Sequence, residues 1–163
     1  MNIRKAELRD LNEIMAIYER ARRFMTEHGN PRQWAARSWP PEALIRADIA
    51  AKKSYVCEEN GQLAAVFYYD YGPDIEPTYR QIEEGSWGDP APYGVVHRIA
   101  SAGNTHGAGA YCIDWAYAQS GHLRIDTHGD NLPMQRLLEK LGFTRRGIIH
   151  VAEDHDPRLA YEK

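Results

Sequence analysis

The stretch His97-Arg98-Ile99-Ala100-Ser101-Ala102-Gly103-Asn104-Thr105-His106-Gly107-Ala108-Gly109-Ala110 decides how the rest of the chain is read. It joins an extended segment to a helix through a turn with two closely spaced glycines. Val95, Val96 and Ile99 favour a strand, because branched side chains pack well on a pleated surface. Ala110 to Gln119 supplies good helix formers, with Ile113, Ala116 and Tyr117 near one face. Gly107 and Gly109 remove side chains that would hold a ligand away from the backbone. Amides at a helix start, helped by the helix dipole, then make a site for phosphate. For a glycine loop taken alone, a tight strand-to-helix turn without a ligand is the competing reading.

Upstream of this stretch, Ser54–Glu59 and Gln62–Asp70 read as two strands of a hairpin, since Asn60-Gly61 tolerates the positive dihedrals of a tight turn. The connection 71–93 is long and rich in proline, glycine and acids, with one or two helical turns expected over Thr78–Glu84. Connections of that length are often functional. Further back, Pro40 and Pro41 open a helix running to about Lys53, and Gly29–Trp34 is irregular. Asp10, in a capping box with Glu13, starts a helix that ends near Gly29 and carries Leu11, Ile14, Met15 and Tyr18 on one stripe. Asn2–Ala6 is a first strand. Downstream, Leu123–Thr127 is a strand and Asp130 or Asn131 caps the next helix, with Pro133 in its first turn. Met134, Leu137, Leu138 and Leu141 repeat at helical spacing before Gly142. Gly147–Val151 and Leu159–Tyr161 close the chain as an antiparallel pair. No repeat or linker interrupts residues 1–163, so a single domain is expected.

At 163 residues and 43% hydrophobic, the chain is long enough for one well-buried core. A net charge of −3 and a pI near 6.2 exert no general pull on nucleic acid. Cys57 and Cys112 lie far apart in sequence, inside an expected strand and helix, which favours buried free thiols over a disulfide. Met1–Lys5 begins no apolar run of signal-peptide length and no later stretch suffices to span a bilayer. No membrane association and a cytoplasmic location are therefore expected. The seven histidines invite a metal. However, His97, His106, His128, His150 and His155 fall in no short ligand spacing, so no metal is expected.

The order and wording of these segments resemble the GNAT family of acyl-CoA N-acyltransferases, in the version of its small bacterial members. Ile3-Arg4-Lys5-Ala6 with Asp10, Leu11 and Ile14 is similar to that family's first strand and helix. Asn104 to Gly109 matches its pyrophosphate loop, written Gln/Arg-x-x-Gly-x-Gly/Ala. Ile125-Asp126-Thr127-His128 is similar to the segment before its asparagine-led helix, which Asn131 through Leu141-Gly142-Phe143 resembles in turn. The resemblance covers nearly the whole chain and fails mainly over 71–93. It implies an α/β fold: a mixed, mostly antiparallel sheet with splayed central parallel strands and flanking helices. Acetyl-CoA is the cosubstrate so implied. The backbone of Ile99, Ala100 and Ser101 would pair with its pantetheine. Amides of Asn104, Thr105, His106, Gly107, Ala108, Gly109 and Ala110 would bind its pyrophosphate. Asn104 departs from the family's Arg or Gln, and His106 replaces a frequent basic residue, so electrostatic help is missing there while the amide cradle is unaffected. Family precedent also admits a homodimer.

The implied reaction is attack on the thioester by a primary amine of a small molecule or peptide, after a base has taken a proton from the ammonium. Asn131 is placed by analogy to hydrogen-bond the cofactor arm or a water, with a plain helix cap as the alternative. His97 and His128 are the candidate bases, because histidine titrates near neutrality; a satisfied structural histidine is the alternative at each. Leu138 stands where many members carry a tyrosine that protonates the departing thiolate, and its spacing reads as core. Tyr79, Trp87 and Tyr93 with Asp74, Glu76, Glu83 and Glu84 are expected to line an acceptor pocket for a cationic amine, unless the acids are a solvated loop. Gln33 and Trp34 are expected on its other side, unless Trp34 is ordinary packing. Two other functions compete: a non-catalytic acetyl-CoA-binding regulatory module, and a nucleotide-binding domain. The latter lacks the Lys-Ser/Thr ending of a phosphate-transfer loop.

Overall fold

Period-2 and period-3.6 patterning becomes strand and helix throughout the computed structural model, which describes residues 1–163. Seven strands form one sheet in the order β1-β2-β3-β4-β5-β7-β6. They are β1 (Asn2–Lys5), β2 (Ser54–Glu59), β3 (Gln62–Gly72), β4 (Tyr93–Ser101), β5 (Leu123–His128), β6 (Thr144–His150) and β7 (Pro157–Glu162). The helices are α1 (Leu11–Glu27), α2 (Glu42–Ala50), α3 (Ala108–Ser120) and α4 (Leu132–Lys140). β4 and β5 run parallel, whereas β1/β2, β2/β3, β5/β7 and β6/β7 are antiparallel. This is the mixed α/β architecture the sequence leads one to expect. The β4/β5 ladder holds Gly94↔Leu123 and Val95↔Arg124, although the strands are nine and six residues long. No helix is long and apolar enough to cross a membrane.

The chain divides into two compact units, each built from two segments: 1–69 with 97–113, and 70–96 with 114–163. In the first, α1 lays Leu11, Ile14, Ile17 and Tyr18 into a core with Trp34, Ile45, Val56, Leu63 and Val66. Burying a side chain of this size stabilises by about 1.5–3 kcal/mol. Trp34 sits edge-on to Tyr18 in this core, so packing accounts for it. The hairpin turn has the expected left-handed pair, Asn60 (φ 52°) and Gly61 (φ 75°). Cys57 and Cys112 are buried free thiols. Although far apart in sequence, they hydrogen-bond each other, and burial pushes both thiols up from their ordinary range.

Two helix starts differ from expectation. Asp10 has helical dihedrals (φ −82°, ψ −11°) and closes a single 3₁₀ turn, Leu8–Asp10, ahead of α1. Its carboxylate accepts from the Glu7 amide (2.8 Å) and from two Arg4 nitrogens (2.7 and 2.9 Å). Hydrogen bonding to Arg4 holds this carboxyl below its usual range. Glu13 accepts from the Leu63 amide instead (3.2 Å), so the expected Asp10–Glu13 box does not form. Pro40 and Pro41 precede α2 without entering it, and α2 stops at Ala50 before Lys52 turns left-handed (φ 58°).

In the second unit Leu123, Ile125, Leu138, Phe143, Ile149, Ala160 and Tyr161 are buried. Within 71–93 helical structure is confined to a 3₁₀ turn, Pro77–Tyr79, which corrects the expectation over 78–84. Glu83 is drawn into an antiparallel bridge with Ile148, each amide donating to the other's carbonyl at 2.8 Å. Gly147 permits that approach, because a Cβ there would stand 2.5 Å from the Glu83 carbonyl oxygen. Asn131 Oδ1 caps α4 by accepting from the Met134 amide (3.2 Å). The helix ends as the sequence implies, with Phe143 N–H donating to Leu138 O and Gly142 N–H to Glu139 O, both at 3.0 Å. The closing pair, β6 and β7, is longer than expected.

Candidate functional site

In the first unit, β4 is interrupted at one residue. Arg98 is left-handed (φ 51°), a conformation that costs a residue with a side chain about 1–3 kcal/mol. Three contacts hold it there. Its Nε and Nη2 donate to Asp48 Oδ2 (3.0 and 2.9 Å), its guanidinium lies 4.6 Å from the Tyr68 ring centroid, and its carbonyl accepts from the Tyr18 hydroxyl (2.8 Å). Burial raises the Asp48 carboxyl, and Arg98 opposes that shift without cancelling it. His97, next to this break, is half-buried with its ring 5.8 Å from that of Tyr68.

After Ser101 the chain turns through Gly103 (φ 75°) and Gly107 (φ 78°) into α3. Gly109 is therefore helical and not a turn residue, which corrects the pairing of Gly107 with Gly109. Gly107 serves twice: it takes the left-handed dihedral, and a Cβ on it would meet no atom within 4 Å. The space in front of Gly107 is open. Ser101 Oγ accepts from the Gly103 amide (3.1 Å), Asn104 Nδ2 donates to Leu63 O (3.1 Å), and Thr105 Oγ1 donates to Asn104 Oδ1 (3.2 Å). The Asn104 side chain is thus tied back onto β3. The first-turn amides of Ala108, Gly109 and Ala110 have no acceptor within their helix and suit an anion.

The second unit holds His128, Asn131 and Leu138. His128 is buried, with Nε2 donating to Asp156 Oδ2 (2.8 Å) and Nδ1 accepting from the Asp130 amide (3.0 Å). That backbone donor selects the Nε2–H tautomer. Asn131 joins the same corner through its own amide, which donates to His128 O (3.0 Å). Leu138 is fully buried, as its spacing implies, and has no access to a reacting group.

A cavity of about 380 Å³ in this unit is lined by Tyr79, Trp87, Tyr93 and Asp74, as expected, but also by Arg80 and Arg124. Glu76, Glu83 and Glu84 do not line it, in keeping with the solvated-loop alternative. Glu76 accepts from Thr78 (3.2 and 2.8 Å), Glu83 pairs with His150 at 3.4 Å, and Glu84 is exposed. Asp74 is already paired with Arg80 (2.9 Å). Arg124 lies between the Trp87 and Tyr93 rings, 4.2 and 4.1 Å from their centroids. Its Nε donates to Glu162 (2.9 Å) and its Nη2 to Asp89 O (2.6 Å). Glu162 also takes Arg146 (3.1 Å), His122 (3.1 Å) and the Gly88 amide (2.7 Å). Burial would raise its carboxyl, but these hydrogen bonds outweigh burial and hold it below the usual range. Tyr79 donates to Asp126 (2.6 Å), and burial with that carboxylate drives its hydroxyl well above its ordinary value. A strand arginine such as Arg124 reads as solvent-facing in sequence, so nothing local announced it.

The solved structure of a GNAT-family acetyltransferase from Streptococcus agalactiae 2603 is 31% identical over 99% of this chain and 94% of its own, with a TM-score of 0.83. A GNAT-family acetyltransferase from Listeria monocytogenes 4b F2365 shares the fold at 18% identity and TM-score 0.71, over 99% of this chain and 93% of its own. The ribosomal-protein-S18-alanine N-acetyltransferase from Escherichia coli shares it at 16% and 0.61, over 99% and 91%. No family model matches the chain, and no curated protein matches it. The chain belongs to the GNAT family of acetyltransferases.

Proposed function

We propose that this protein is an N-acetyltransferase carrying acetyl from acetyl-CoA to a primary amine of a small molecule or peptide, by direct attack in a ternary complex. The observation that supports it most is the open turn at Gly107 leading into the first turn of α3, whose amides have no acceptor within their helix, in a chain of this family. On this reading the backbone of Ile99, Ala100 and Ser101 pairs with pantetheine, the amides from Asn104 to Ala110 hold the pyrophosphate, and Asn131 supports the cofactor arm. The amine nitrogen attacks the thioester carbon, the C–S bond breaks, and coenzyme A leaves as its thiolate, which takes up through water the proton that the amide nitrogen loses. His97 takes the ammonium proton. His97 lies in β4 just ahead of the Ile99–Ser101 stretch assigned to pantetheine, while both ring nitrogens of His128 are engaged within the protein. The aromatic cavity of the 71–93 loop is the acceptor site in this reading.

A second reading, a non-catalytic acetyl-CoA-binding module, is favoured by one observation: Leu138 is fully buried where many relatives are implied to carry a tyrosine. Calorimetry with acetyl-CoA and thiol release over an amine panel separate the two. Wild type should bind and release thiol with at least one amine, and Gly107→Val should lower affinity tenfold or more. Binding without release across the panel would leave the module; no binding would overturn both.

A further inference from the structure

The loop assigned above to the pyrophosphate has no lysine or arginine from Ile99 to Ala110. A diphosphate bound there would meet amides but no permanently charged side chain from the loop itself. One cation outside the loop lies against it. Arg20, on the exposed side of α1, lays its guanidinium over Gly103 so closely that a Cβ on that glycine would overlap it. The contact exists because residue 103 has no side chain.

Arg20 is also the arginine of its helix that the protein leaves unpaired. Arg22 donates to Trp39 O (3.2 Å) and Arg23 faces Glu19 at 4.0 Å. The residues three and four positions from Arg20 are Ala16, Ile17, Arg23 and Phe24, so no carboxylate stands at helical pairing distance. Its guanidinium makes no hydrogen bond or ion pair. A planar fork of donors matches phosphate oxygens two at a time, and such charge-assisted bonds are about twice as strong as neutral ones.

We infer that Arg20, held on Gly103, is the phosphate-binding cation of this site and supplies from α1 the charge that the loop lacks. The inference rests on the acetyl-CoA reading above. It assigns Arg20 to the pyrophosphate, the part of the ligand next to the loop amides.

Calorimetry with acetyl-CoA and dephospho-coenzyme A, and kcat/KM with acetyl-CoA and S-acetylpantetheine, test it on wild type, Arg20→Gln, Arg20→Lys and Gly107→Val. Arg20→Gln should weaken acetyl-CoA and dephospho-coenzyme A by the same factor, about tenfold to a hundredfold. It should leave S-acetylpantetheine, which has no pyrophosphate, unchanged. Arg20→Lys should recover part of the loss, as a point charge does. Loss with acetyl-CoA but not dephospho-coenzyme A would move Arg20 to the 3′-phosphate and overturn the assignment. Equal loss with S-acetylpantetheine would show a general structural effect and overturn it too. If Arg20→Gln binds like wild type while Gly107→Val does not, the inference fails and the loop reading stands. If wild type does not bind acetyl-CoA, the functional reading itself fails.

Discussion

Arg98 and Arg124, one in each unit, have side chains largely withdrawn from water, and they are held in opposite ways. Arg98 rests on a single carboxylate, Asp48, and on the face of Tyr68. Arg124 shares Glu162 with Arg146, His122 and a backbone amide, and is clasped between two rings. Both carboxylates are largely withdrawn from water, the side chain 3% exposed in Glu162 and 9% in Asp48. Yet burial raises the Asp48 carboxyl, while the Glu162 carboxyl is held low against the same effect of burial. The number of donors on each carboxylate accounts for the direction of its shift. The purposes differ as well. Arg98 braces a strained backbone in β4, whereas Arg124 forms the wall of a cavity.

Breaking the richer cluster should cost most. Glu162→Ala leaves Arg124 buried without its carboxylate, and the expected loss is about 3–5 kcal/mol in urea unfolding. A loss below about 1 kcal/mol, the size of a surface pair, would show that the two rings hold Arg124 unaided. Asp48→Ala should cost less, about 1–3 kcal/mol, since one hydrogen-bonded partner is removed and Tyr68 remains. If it destabilised as much as Glu162→Ala, donor number would not be the deciding quantity.

The smallest effect sharpens the comparison through its sign. A carboxyl lowered in the fold stabilises above its ordinary pKa, about 4.3 for Glu, and that contribution is lost as pH falls through the folded value. A carboxyl raised in the fold stabilises below its ordinary pKa, about 3.9 for Asp, and loses that contribution as pH rises through the folded value. The stability gap between wild type and Glu162→Gln should therefore shrink on acidification. That between wild type and Asp48→Asn should widen. Denaturant midpoints collected across the acid range would show both slopes, and parallel slopes would contradict the contrast.

Where the sequence reading failed, a group outside the local pattern had taken the one that pattern needed. Asp10 looked like the cap of α1 with Glu13 as its partner, but Arg4 and the Glu7 amide hold Asp10 while Glu13 reaches Leu63. Residues 78–84 looked helical, but Ile148 recruits the Glu83 backbone into an extended bridge. The acids of the same loop admitted either a cation pocket or a solvated surface, and Glu76 accepts from Thr78 while Glu83 pairs with His150 at the surface. The aromatic members of that pocket, Tyr79, Trp87 and Tyr93, were legible because large rings in a long loop need somewhere to bury their area.

By itself the sequence determined whatever depends on a few adjacent residues. Asn60-Gly61 turns the hairpin, Asn131 caps α4, Gly142 ends it, and Gly107 opens the turn into α3. Each follows from dihedral freedom or from a side chain's reach to its own backbone, so neighbours suffice. Only the tertiary structure decided that Arg98 is left-handed, that Arg124 is interior and that Arg20 lies on Gly103. Those outcomes need Asp48, Glu162 and a glycine 83 positions further along the chain respectively. An arginine's charge is strongly hydrated, so its place in a fold is set by the partners that replace water, and folding alone brings them together.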